Sequence, residues 1–428
     1  MEIKRDKYLQ KLISQMNKDM IKVVTGIRRS GKSYLLFNLF TAYLKSSGIK
    51  ENQIIAINLD ERKNQYLRNI DALYSEIMSR IKSRKKRYYV LLDELQYTIS
   101  REDLKNKDKP LPIYDLLNSF MHMDNVDVYI TGSNSRFLSK DVMTEFRGRG
   151  WPIHIQPLVF SEYYAAYNGS VQDAWNDYIQ YGGMPYILSF DDHESKVQYL
   201  KNVFEEVYIK DIKDRYSIQN DDGMNEIVDI VSSSVGSLTN PLRISKTFKS
   251  NNKTISEHTI ADYLQYLQDA FLIQKADRYD VKGRKYIGTP SKYYFSDIGL
   301  RNARLNFRQV EKNHLMENII YNELIYRGFN VDVGVVPVNV TKEGKHLKKQ
   351  YEIDFVANHF NKRYYIQSAL NVDTNEKLEQ EQRSLLSIPD GFKRVIVTED
   401  TPRAWQTEEG TLIVGITDFL LNENSLEY

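Results

Sequence analysis

Short apolar runs alternate with longer amphipathic stretches through the first third of the chain. The runs include Ile21, Val23 and Val24, then Gln53–Asn58, Tyr88–Leu92, Val126–Ile130 and Trp151–Ile155. Apolar runs of this length bounded by polar residues are the signature of strands buried on both faces, so a parallel sheet is predicted. Between them Tyr8, Leu9, Leu12, Ile13 and Met16 recur at helical spacing, and Leu67–Ile81 and Asp115–Met123 are amphipathic. Leu35 to Leu44 is apolar nearly all round. A helix of that kind must lie between layers. Alternation of strand and helix specifies an α/β fold.

The pattern changes after residue 158. Positions 161–218 read as helical, broken at Tyr181-Gly182-Gly183-Met184-Pro185, with Phe204, Val207, Tyr208 and Ile212 on one stripe. Asn240–Asp297 is similar to a winged helix-turn-helix. Ile244–Phe248 and a turn at Asn251-Asn252 lead to a helix from Ser256 that turns Ile260, Leu264, Leu267 and Phe271 inward, and Tyr279–Tyr286 forms the wing. Lys282, Arg284 and Lys285 on the wing suit phosphate contact. Outward Glu257, Asp262 and Asp269 would repel it, leaving His258, Gln265 and Gln268 as base readers. DNA contact and a protein-packing role both stand open. The expected division is 1–158, 159–235, 236–300 and 301–428.

The chemistry concentrates in two of the strand ends. The first run breaks into Gly26-Ile27-Arg28-Arg29-Ser30-Gly31-Lys32-Ser33, the G-x-x-x-x-G-K-S spacing of a Walker A motif. Glycines let the backbone N–H groups turn toward phosphate, and the helix that follows presents its positive dipole end. Lys32 is placed for the β and γ phosphates and Ser33 for magnesium. Gly26, Arg29, Ser30, Gly31, Lys32, Ser33 and Tyr34 are the expected nucleotide-binding set. The third run ends in Asp93-Glu94, a Walker B pattern. There Asp93 is expected to hold Mg2+ with Ser33, while Glu94 takes a proton from an attacking water.

The fourth run ends in Thr131-Gly132-Ser133-Asn134-Ser135, where Asn134 or Ser133 is the candidate to orient water or touch the γ-phosphate. Phe146-Arg147-Gly148-Arg149-Gly150 supplies arginines that could meet a transferring phosphoryl group. In Asn106-Lys107-Asp108-Lys109 the aspartate falls one place early for a guanine-specificity motif, so ATP is expected rather than GTP.

Composition narrows the field. The chain has 428 residues and no cysteine, which excludes disulfides, thiolate metal sites and cysteine nucleophiles. Fifty-nine Lys and Arg stand against 57 Asp and Glu, so a basic surface would have to be local. The N-terminus lacks an apolar signal core, and a cytoplasmic protein without membrane contact is expected.

Taken with these motifs, Arg28-Arg29 inside the loop, Asp93-Glu94-Leu95-Gln96, and the run from Gly148-Arg149 to Gln156-Pro157-Leu158 and Phe160-Ser161-Glu162 resemble one family. It is the group of prokaryotic AAA+ superfamily ATPases with C-terminal winged-helix and nuclease-like regions. The resemblance implies a sheet of order 5-1-4-3-2, a helical lid after the ATPase domain, Glu94 as catalytic base and Arg149 as arginine finger, with Lys32 and Asn134 completing the catalytic set.

The last region is similar to the restriction-endonuclease core. Glu317 lies on the helix His314–Arg327, Asp354 on the run Tyr351–Val356, and the next strand is Tyr364–Ala369. In that fold an aspartate and an E-x-K hold a divalent metal. Here Gln367 replaces the acid and Ala369 the lysine, so the domain is expected to be degenerate and not to cleave. A basic loop, Lys342–Lys349, follows the same logic as the wing.

The leading expectation is therefore a magnesium-dependent ATPase whose turnover changes how C-terminal domains hold a partner, which is DNA, a protein or a second copy. The alternative is a nucleotide-gated DNA-binding regulator with negligible turnover, and the third reading is a metal-dependent nuclease.

Overall fold

The computed structural model describes residues 3–100, 103, 111–132, 149–308, 311–342 and 345–428. The chain separates into two compact units, one built mainly from 2–157 and the other mainly from 158–428.

The first unit is a five-stranded sheet of order β2-β3-β4-β1-β5, formed by β1 (Ile21–Gly26), β2 (Ile54–Asn58), β3 (Tyr88–Asp93), β4 (Val126–Gly132) and β5 (Gly150–Ile155). All pairings are parallel, and the order is the expected one read from the other edge. Every residue of β1 and β3 is buried, which is why these strands read as continuous apolar runs.

The exception is Lys22. Its ammonium is buried on β1 and paired with Asp127 of β4. Asp127 also accepts from the Asn17 amide and the Tyr129 hydroxyl, each at 2.8 Å.

The helix after β1 buries Leu35, Leu36, Phe40 and Leu44 but exposes Asn38, Ala42 and Lys45, so it is covered on one side rather than enclosed between layers as expected. It is continuous through Lys32–Tyr34, a π-helical stretch at Leu35–Phe40, and Thr41–Ser46. Ile70–Arg80 and Pro112–Met121 pack Leu73, Ile77, Leu117 and Phe120 into one core with Val23, Val90 and Ile130.

The second unit begins with the helices Phe160–Ala166, Val171–Tyr181, His193–Asn202, Lys210–Tyr216, Asp221–Ser233, Pro241–Ser250 and Glu257–Asp269. An eight-stranded sheet follows, in the order β12-β13-β11-β10-β9-β8-β6-β7. Its strands are β6 (Ile273–Asp280), β7 (Lys285–Phe295), β8 (Asn330–Lys342), β9 (Lys345–His359), β10 (Lys362–Ala369), β11 (Lys393–Thr398), β12 (Trp405–Gln406) and β13 (Thr411–Gly415).

Two features differ from the sequence reading. The hairpin expected as a wing is β6–β7, and β6 pairs in parallel with β8 from Arg278 to Asp280, so hairpin and C-terminal strands share one sheet. Periodicity sees each strand but not its partner. Asp269, expected on the outward face of its helix, is buried at 6% exposure. Of the expected base readers, His258 is paired with Asp262 at 3.0 Å and Gln268 bonds back to the Leu264 carbonyl.

Candidate nucleotide site

Parallel strands deliver their C-terminal ends to one edge of the sheet, and the crevice outside that edge is where α/β proteins place ligands. Here the edge carries the loop after β1, the acids at the end of β3 and Thr131 near the end of β4.

The loop owes its shape to residues that tolerate positive φ. Gly26 has φ 147° and Gly31 φ 95°, and Arg29 adopts φ 61°. A Cβ at Gly26 would come within 2.2 Å of the Ile155 carbonyl oxygen, so glycine is required where the loop passes β5. Arg5, just ahead of the first helix, donates to the Ser30 carbonyl at 2.9 Å and to the Gln156 carbonyl at 2.7 Å. That helix therefore begins with a guanidinium clamping the phosphate loop to the end of β5, beyond the packing role its periodicity suggests.

Lys32 is 3% exposed. Its ammonium donates to the carbonyls of Gly26 at 3.1 Å and Ile27 at 3.0 Å. Burial pushes its pKa down, and the charges of Glu94 and Asp93 oppose that shift. Ser33 follows it on the first helical turn, and Tyr34 closes that turn, both half-buried.

Asp93 is 1% exposed, with Thr131 Oγ1 donating to its Oδ1. Its Oδ2 is buried with no hydrogen-bond partner among the described residues, and so is Ser30 Oγ. Buried carboxylate oxygens are normally satisfied, so an unpartnered one at the end of β3 fits a cation site.

Glu94 adopts φ 55°, ψ 50°, a left-handed conformation uncommon for a side-chain-bearing residue. Its amide donates to Thr131 Oγ1 at 3.1 Å, and Gln96 Nε2 donates to its Oε2. Burial raises the Glu94 pKa above the ordinary carboxylate range, and Lys32 works against that rise. A raised pKa makes the ionised carboxylate a stronger base.

The structure thus brings Gly26, Arg29, Ser30, Gly31, Lys32, Ser33, Tyr34, Asp93 and Glu94 to one edge, and adds Arg5, Gln96 and Thr131. Thr131 is the hydroxyl at the strand end where a polar residue was sought, one β4 residue before the stretch that holds Asn134. Ser133, Asn134, Arg147 and the run 104–110 lie outside the described residues.

Arg149 is placed elsewhere. It precedes β5, where Gly150 pairs with Ile21, whereas the phosphate loop follows Gly26, which pairs with Ile155. Five steps at about 3.3 Å per residue put roughly 17 Å between those ends, beyond the reach of an arginine side chain in the same chain.

These features define a P-loop nucleotide-binding protein with the two acids of an ATPase. A family model described as an AAA domain matches residues 18–164, and a model of a domain of unknown function matches 172–311. An uncharacterized protein of Haemophilus influenzae is 32% identical over 425 residues, with 98% of each chain covered. An uncharacterized protein of Methanocaldococcus jannaschii is 30% identical over 352 residues, covering 78% of this chain and 71% of that one. Among solved structures, a Walker-type ATPase of Pyrococcus abyssi superposes with a TM-score of 0.50 at 15% identity, covering 71% of this chain and 96% of that one, a likeness of fold. The chain belongs to the AAA+ family of P-loop ATPases. Among the described residues no helix is long and apolar enough to cross a membrane.

Proposed function

We propose that this protein binds ATP with Mg2+ and hydrolyses it, and that turnover changes how the second unit holds a partner. The observation that carries the reading is the Asp93-Glu94 pair: one carboxylate buried with an unsatisfied oxygen, the next held in a left-handed turn with a raised pKa.

Each side chain has a role that follows from its place. The loop amides and the helix start receive phosphate oxygens. Lys32 exchanges the Gly26 and Ile27 carbonyls for phosphate, a gain because a neutral carbonyl is a weaker partner than a dianionic oxygen. Ser33 and Asp93 would hold magnesium, which neutralises charge on the β and γ phosphates. Glu94 accepts the proton of the attacking water, with Gln96 and the Thr131 hydroxyl fixing its carboxyl and its amide.

The test is phosphate release by the full chain with ATP and Mg2+. Loss in both Lys32→Ala and Glu94→Gln supports the reading; turnover that survives either substitution sinks it.

A second reading, a nucleotide-gated DNA-binding regulator, is favoured by one tertiary feature. Exposed Lys282, Arg284 and Lys285 lie at the turn between β6 and β7. Lys282 Nζ bonds to the Pro337 carbonyl at 3.1 Å, and Lys349 pairs with neighbouring Val338. Two hairpins far apart in sequence thus touch at a lysine-bearing turn, and Tyr286 of β7 is 66% exposed. Affinity for duplex DNA that falls steeply with salt, and more gently after Lys282 and Arg284 are changed to Ala, supports this reading. Salt-independent or absent binding directs the search to a protein partner or a second copy.

A further inference from the structure

Three acids of the second unit come together around one ammonium. Lys292 of β7 is 3% exposed, and its Nζ lies 2.8 Å from Glu317 Oε1, 2.8 Å from Glu352 Oε1 and 3.2 Å from Asp354 Oδ1. Tyr294, two residues on, donates to the same Glu317 oxygen at 2.7 Å. The Ser368 amide donates to the other oxygen of Asp354 at 2.9 Å.

Glu317 and Asp354 are the acids that an endonuclease-like fold would turn toward a divalent cation. The residues present do not fit one. The point on which the carboxylates converge is filled by the lysine, and the separations are those of charge-assisted hydrogen bonds, longer than the roughly 2.0–2.6 Å of magnesium or calcium coordination. Among the described residues no three His, Asp or Glu side chains are placed to hold a metal ion. On the next strand Gln367 Oε1 faces the Asp354 amide at 3.4 Å, and Ala369 offers no ligand.

We propose that Lys292 is a built-in cation that takes the place of a divalent metal in this acidic cluster. A lysine ammonium has three N–H donors and no acceptor. Here three carboxylate oxygens, from Glu317, Glu352 and Asp354, meet it. Buried carboxylates need a counter-charge, and a covalently tethered one cannot be chelated or diluted away. The same ammonium joins β7, the helix Lys312–Arg327 and β9, three elements that no single ladder of backbone bonds connects. Metal could enter only by displacing the lysine. Removing the ammonium leaves three carboxylates and no cation, which converts the cluster into a divalent-cation site.

The experiment is calorimetric titration of the full chain with Mn2+ alone, without nucleotide, in an Asp93→Asn background that removes the P-loop carboxylate from the readout. Protein carrying Lys292 is expected to show no Mn2+ site that depends on Asp354. Lys292→Met is expected to gain one, and its Mn2+ affinity to fall at least about tenfold when Asp354→Asn is added. Mn2+ uptake by the Lys292 protein that vanishes on Asp354→Asn overturns the proposal. So does a folded Lys292→Met protein that gains no site. The comparison between Lys292 protein and its Asp354→Asn variant needs no change at Lys292, so it decides the matter even where Lys292→Met does not fold.

Discussion

Thr131 joins the two acids of the nucleotide site: its hydroxyl donates to Asp93 and accepts the Glu94 amide at 3.1 Å. One side chain on β4 therefore fixes both the carboxylate proposed to hold magnesium and the backbone that aims the proposed base. Thr131→Val keeps the shape and removes both bonds. The expected outcome is a fall in kcat of about 10- to 100-fold, with nucleotide affinity changed by less than about threefold. Thr131→Ser restores most of the rate. Steady-state kinetics beside equilibrium nucleotide binding check the split.

Gln96 donates to Glu94 and thereby favours its ionised form, against the burial that raises its pKa. A general base works when deprotonated, so turnover is present above the Glu94 pKa and is lost as pH falls through it. Gln96→Ala removes the donor and raises that pKa further. The acid limb of the pH–rate profile is expected to move to higher pH, with the plateau rate reduced less than the rate near the limb.

Asp297 gives the second unit a pH-dependent stability. It is buried, and burial raises its pKa to about 6 from 3.8, although the amides of Gly183 and Leu300 donate to it at 2.7 and 3.0 Å. The folded chain then binds more protons than the unfolded chain between those values, so this group's contribution falls as pH rises from about 4 to 6. Compared with Asp297→Asn by thermal unfolding, the unsubstituted protein is expected to fare better at pH 4.5 than at pH 7. A difference in Tm that is flat across that range contradicts the assignment.

Lys22 and Asp127 form a buried pair between β1 and β4. Lys22→Met strands the carboxylate without its cation, and breaking a buried pair from one side costs about 3–5 kcal/mol. Denaturant unfolding of the first unit is expected to show a loss of that size, and much less when Asp127→Leu accompanies it.

The sequence is most legible where one strand and its own chemistry coincide. Gly26 to Ser33 and Asp93-Glu94 announce themselves because a loop that turns on glycine and a strand that ends in acids are local patterns. The five strands need only their own apolar runs to be seen, although β2 and β5, read as buried, are edge strands that expose Ala56, Trp151 and Pro152. What the chain hides is pairing across distance. Arg5 clamps a loop 25 positions away, and nothing in the helix it precedes marks that contact. Lys292 looks like an ordinary strand lysine until β9 brings Glu352 and Asp354 to it. The β6–β7 hairpin has the pattern of a wing, and only its bonds to β8 reveal the larger sheet. Arg149 fails as a partner of the phosphate loop in its own chain for the same reason, since the end of the strand it occupies depends on the β1–β5 register.

Glu94 is proposed as the base in ATP hydrolysis, with Lys32, Ser33 and Asp93 binding the nucleotide and its metal. The most direct measurement incubates Glu94→Gln protein with ATP and Mg2+, isolates the complex and identifies the nucleotide retained. Recovery as ATP, against ADP from the unsubstituted protein, is the result predicted. Recovery as ADP at the unsubstituted rate would contradict the assignment of Glu94.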